Sequence, residues 1–100
     1  MSTRKPSIHT IRVLQTLLDE GEACGANLIQ TLHMPSGTVY PILLRLEKLG
    51  LVSSYWEAET PEALSRPRRR LYRVEGAGIK FLNDAVNELG LNKGLPWGTA

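Results

Sequence analysis

The chain has 100 residues, 42% hydrophobic and 22% charged, with a formal net charge of +2 and a single cysteine. A length of this order builds one domain with a modest core, and these proportions exclude wholesale disorder and a fibrous repeat. The lone Cys24 excludes an internal disulfide and any multi-cysteine metal site and reads as a buried structural thiol, as in a reducing compartment. No run of about 18 apolar residues is present to span a bilayer, and no secretory-type apolar stretch follows the polar, basic residues 1–6. The expectation is a cytoplasmic protein with no cofactor, no metal and no membrane contact.

Residues 1–6 form an expected loose N-terminal arm, and Ser7 is placed to cap a helix running to about residue 20. Ile8, Ile11, Leu14 and Leu18 follow helical spacing, and Val13 and Leu17 add a second apolar row. That is more apolar surface than a one-sided helix needs, so it either sits deep in the domain or meets a partner. Gly21 closes it in the position favoured for a left-handed residue, and a short second helix is expected over about 24–32. His33, Met34 and Pro35 form a break, after which Ser36 is placed to cap a third helix ending before Gly50. Here Val39, Ile42, Leu43, Leu46 and Leu49 share an arc of roughly 120°, while Gly37, Tyr40, Pro41, Leu44, Arg45 and Lys48 lie opposite. Pro41 falls in the first turns, where its missing N–H costs little. A helix of about 14 residues and roughly 21 Å suits a major groove about 12 Å wide.

Residues 51–57 alternate and are rich in strand formers, 60–67 form a polar tip with two prolines, and 68–74 resume as a strand. The result is a two-stranded ribbon. Five of the eight residues 66–73 are arginine and none is acidic, so the chain's small positive balance is concentrated there. In residues 75–89, Ile79, Leu82, Val86 and Leu89 are spaced three, four and three apart, the seam of a helix that packs on another. With Ile8 and Ile11 they are candidate homodimer contacts. The tail, 90–100, carries Trp97, which either plugs a dimer groove or is disordered. The fold class is mainly α with a small β-hairpin (α+β), a winged helix-turn-helix. Its expected parts are the arm 1–6, a winged DNA-binding domain 7–74, a dimerisation helix 75–89 and the tail 90–100.

The chemistry of this pattern points to double-stranded DNA. Arg66, Arg68, Arg69, Arg4 and Lys5 suit phosphates, where displaced counterions give affinity with steep salt dependence. Ser36, Gly37 and Thr38 place amides and hydroxyls at a helix N-terminus, whose positive dipole end favours phosphate. Tyr40 and Arg45 project from the exposed arc as base-edge or phosphate contacts, Pro41 shares that face, and Lys48 is expected near the backbone. Leu44 on this face touches either a thymine methyl or a protein partner. One of Arg70 and Arg73 is expected to pair with Glu47, Glu57 or Glu75. Trp56 and Tyr72 are read as packing against the body of the domain in preference to stacking on bases. The bland alternative for the ribbon arginines is a solvated edge that blocks aggregation. His9 and His33 stand apart from any ligand cluster, and without a glycine-rich phosphate loop or a nucleophile elbow an enzyme is not expected.

The stretch G-T-V-Y-P, followed by L-x-R-L-E-x-x-G-L-V, Trp56, RPRRRLYRV and the closing helix, resembles the PadR family of bacterial transcriptional regulators over about residues 8–89. The resemblance implies a homodimeric winged-helix repressor on a palindromic operator, with the 36–49 helix in the major groove and the 51–74 wing on flanking backbone or minor groove. It also implies that the closing helix supplies most of the dimer interface. The chain departs from the pattern at Cys24, Gly25, Ala26, Asn27 and Leu28, where the family has aromatic-G-aromatic-E-L, at Leu44, commonly polar or basic, and at Glu75, commonly threonine. The short segment after residue 89 resembles the small subclass without a separate C-terminal domain and leaves little material for the small-molecule effector pocket known in such relatives. The competing reading is a winged-helix protein-interaction module that binds no specific operator.

Overall fold

The computed structural model describes residues 7–90, in the order α1 (Ile8–Glu20), β1 (Ala23–Cys24), α2 (Gly25–Leu32), α3 (Ser36–Lys48), β2 (Val52–Trp56), α4 (Pro61–Leu64), β3 (Arg70–Val74) and α5 (Gly76–Leu89). Arg4, Lys5, residues 91–100 with Trp97, and the side chain of Leu89 lie outside what is described.

Helix α1 starts where the Ser7 hydroxyl accepts the Thr10 amide at 3.1 Å, and it stops at Gly21, whose φ of 85° is open to glycine. Its two apolar rows have a simple use. Ile11, Val13, Leu14 and Leu17 are all buried, because α1 runs through the middle of the molecule against α2, α3 and α5. Arg12 on its outer side donates to the carbonyl of Leu32 at 3.2 Å, satisfying one of the orphan acceptors at the end of α2.

The break after α2 turns on His33, held at φ 56°, and Met34 after it is buried in the core. Pro35, not Ser36, is the N-cap of α3: its extended backbone lets its carbonyl accept from Thr38 at 2.9 Å and Val39 at 3.1 Å. Ser36 is the first helical residue instead. Val39, Ile42, Leu43 and Leu46 are buried as the periodicity requires, but Leu49, the C-cap residue at the edge of that arc, is exposed.

The ribbon is one strand wider than expected. β1 pairs antiparallel with β3 (Ala23 with Tyr72, Cys24 with Leu71), giving a sheet ordered β1-β3-β2 in which Val52 faces Val74 and Trp56 faces Arg70. Two residues are too few to show a period. The polar wing tip contains the single turn α4, capped by the Thr60 hydroxyl accepting from Ala63 at 3.1 Å and opened by Pro61.

Helix α5 completes the same core with Leu82, Ala85 and Val86. It approaches the start of β2 so closely that a Cβ on Gly78 would lie 2.2 Å from the Leu51 carbonyl oxygen and 2.7 Å from Val74 Cγ1. No helix among the described residues is long and apolar enough to cross a membrane.

Candidate nucleic-acid interface

Once α3 has turned its apolar arc inward, Ser36, Gly37, Tyr40, Pro41, Leu44, Arg45 and Lys48 are left exposed and Thr38 half-buried. The amides of Ser36 and Gly37 meet no protein acceptor among the described residues, whereas that of Thr38 is used by Pro35. Arg45 and Lys48 stand in the last turn, where the helix dipole favours cations, and neither is ion-paired among the described residues. Tyr40 lies on the backbone of α2: a Cβ on Gly25 would be 2.4 Å from the ring. That glycine lets the phenol rest on α2 while keeping nearly half its surface open.

Glu47, the carboxylate on α3, is turned toward the sheet. It accepts from the Ser54 hydroxyl at 2.6 Å and lies 3.8 Å from Arg70, which donates to Ser54 at 2.9 Å and sits 5.2 Å over the Trp56 ring. On the other face of the ribbon Arg73 lies 3.9 Å from Glu75 and 5.8 Å over Tyr55, and the Ser53 hydroxyl donates to Glu75. Both Arg70 and Arg73 are therefore paired, where the sequence suggested one. Tyr72 packs half-buried against the core, and burial pushes its phenol up. Trp56 does not pack on the body. It is 57% exposed at the end of β2, beside an open hollow formed with Pro61, Glu62, Arg66, Pro67 and Arg68.

The wing arginines divide by partner. Arg66 grips Glu57 with two hydrogen bonds of 2.7 and 2.9 Å, while the backbone N–H of Arg69 donates to the same carboxylate at 2.9 Å. These bonds hold Glu57 at about 2, below its ordinary 4.5. Arg66, expected as a phosphate anchor, has its charge matched by Glu57 in the folded wing. Arg68 donates its Nε to the Glu59 carbonyl at 2.8 Å, and the Arg69 side chain is exposed with no partner among the described residues. Arg68 and Arg69 are the wing's available cations.

The apolar positions expected at a dimer contact also divide. Ile11, Leu82 and Val86 are buried in the chain's own core, which corrects their assignment, because a side chain packed inside a protomer has no surface left for a second copy. Ile8, 47% exposed, and Ile79, 39% exposed, remain open, together with Leu18. Residue-by-residue reading offered Glu57 to Arg70 or Arg73 instead of Arg66, and missed Gly25 and Gly78. A hairpin register placing Glu57 across from Arg69 would have found its partner, but the two glycines show only in the tertiary approach of elements.

Comparison with known proteins gives the same picture. The family model described as the transcriptional regulator PadR-like family matches residues 13–84. A PadR-like transcription factor from Bacteroides fragilis superposes with a TM-score of 0.71 at 27% identity, covering 84% of this chain and 82% of that one. A transcriptional regulator from Clostridium thermocellum gives 0.67 at 28% identity over 85% and 84% of the two chains. A PadR family regulator from Eggerthella lenta gives 0.69 at 25% over 82% and 71%. A search of curated protein sequences finds no significant match. With its helix-turn-helix, its arginine-bearing wing and a family match across most of its length, the chain belongs to the PadR-like family of transcriptional regulators.

Proposed function

We propose that the protein is a transcriptional repressor that binds a palindromic operator in double-stranded DNA as a cytoplasmic homodimer, with α3 in the major groove and the β2–β3 wing on flanking backbone or minor groove. One observation carries this reading. Along α3 and the paired strands of the wing, Glu47, Glu57 and Glu75 are each engaged by an arginine or a serine, Glu59 and Glu62 lie exposed at the wing tip, and Arg45, Lys48, Arg68 and Arg69 keep their charge available. In this reading Ser36, Gly37 and Thr38 meet phosphate, Tyr40 and Arg45 contact base edges, and Lys48, Arg68 and Arg69, with Arg4 and Lys5 of the arm, neutralise the backbone. Two copies meet through Ile8 and Ile79, with Leu89 extending the contact.

Binding of the purified full chain to duplex DNA, titrated with salt, tests it. Affinity is expected to fall steeply with salt, and Arg68→Ala with Arg69→Ala to lower the log–log slope by about one for each phosphate no longer neutralised. An unchanged slope in the double variant removes the wing from the interface. Salt-insensitive binding in the wild type favours a protein-interaction module instead.

A further inference from the structure

Resting on that reading of α3, we propose that Leu44 is a specificity-determining residue that packs on the C5-methyl group of a thymine in the operator. At about 100° per residue, the line diametrically opposite the buried arc of Val39, Ile42, Leu43 and Leu46 runs through Gly37, Pro41, Leu44 and Lys48. Tyr40 and Arg45 stand on its two shoulders. The outermost ridge of the helix, which reaches furthest into a groove, is therefore apolar until its last member.

Leu44 is 56% exposed at the centre of that ridge, so more than half of its surface is left open by the fold. Base-pair edges in the major groove present donors, acceptors and a single apolar group, the thymine methyl. A leucine there gains by covering a methyl and loses by desolvating a donor or acceptor it cannot satisfy, so it selects by attraction and by exclusion. The surroundings favour DNA as the occupant. Arg45 and Lys48 flank Leu44, and the carboxylate of this helix, Glu47, is turned to Ser54 and Arg70. An apolar strip bordered by available cations is complementary to a polyanion bearing methyl groups.

The test begins with an operator selected from random duplexes by the full wild-type chain. Each thymine is then replaced in turn by deoxyuridine, which lacks only the methyl. One position per half-site is expected to lose about fourfold in affinity, the scale of one buried methyl. Leu44→Ala is expected to bind the thymine and deoxyuridine duplexes equally and to leave the salt slope unchanged, since no charge is removed. Because Leu44 is exposed, the variant should melt like the wild type, which separates an effect in the groove from a failure to fold. Affinity indifferent to deoxyuridine at every position, or a sensitivity undiminished in Leu44→Ala, overturns the role of Leu44 while leaving operator binding intact. Failure to recover any operator overturns both.

Discussion

Two glycines define how closely the elements approach, and each has a distinct consequence. A methyl on Gly78 meets the Leu51 carbonyl, part of a backbone fixed on both sides, so Gly78→Ala is expected to destabilise the fold by about 1–3 kcal/mol. Gly76, with nothing within 4 Å of its would-be Cβ, serves as the control, and urea midpoints of the two variants give the comparison. The nearest atoms a methyl on Gly25 meets are those of the Tyr40 phenol, the far end of a flexible side chain. Gly25→Ala should leave the urea midpoint nearly unchanged yet weaken operator binding about as much as Tyr40→Ala does. Under the proposed role of Tyr40 the two effects should not add, because both act on one interaction. Fully additive effects would show that Gly25 acts elsewhere.

The wing is an element whose shape rests on a carboxylate. Glu57 is held at about 2 by Arg66 and by the Arg69 amide, below the 4.5 it would have when released. Because the released form binds the proton more readily, the clamp contributes fully above about 4.5 and is lost as pH falls toward 2. Trp56 borders the same hollow as Arg66 and reports on it. In a Trp97→Phe background, its fluorescence should change over that pH interval, and Glu57→Gln should abolish the change. Arg66→Ala also releases the clamp. It is expected to weaken DNA binding without lowering the salt slope, in contrast to Arg68→Ala and Arg69→Ala, because the charge it removes is already matched inside the wing.

Across the whole molecule, a heptad-like spacing does not separate apolar residues that pack in the core from those left at the surface. Leu82 and Val86 hold α5 to the protomer's core, whereas Ile79 on the same helix and Ile8 on α1 reach solvent. If the proposed homodimer forms through the exposed pair, Ile8→Glu with Ile79→Glu should give a folded monomer in sedimentation at micromolar concentration. Leu82→Glu should instead unfold the chain, since it places an unpaired charge where a leucine is 2% exposed. A double variant that stays dimeric removes these residues from the interface. In the proposed dimer the two α3 helices lie about 34 Å apart, so half-sites are expected about one helical turn apart.

Helices α1, α3 and α5 were legible because each is 13 or 14 residues long, enough turns for an apolar face to repeat, and because Gly21, Gly50 and Gly90 take positive φ where each chain segment must turn. The helix-turn-helix and the concentration of arginine in the wing follow from that local pattern alone. Strand β1 and the single turn α4 were not legible, since two and four residues carry no periodicity. Nor did local pattern reveal which arginine is already paired, why Trp56 is exposed, or which apolar residues are core. Those depend on partners distant in the chain: Glu57 reaches Arg66 through the hairpin, and Leu82 reaches the core through the packing of α5 on α1. Periodicity and turn propensity act over a few residues, so the chain's local pattern marks the long helices, the two ribbon strands and the placement of charge. Which charges and apolar faces remain for a partner is set by long-range packing, which brings distant residues together and leaves the rest uncovered.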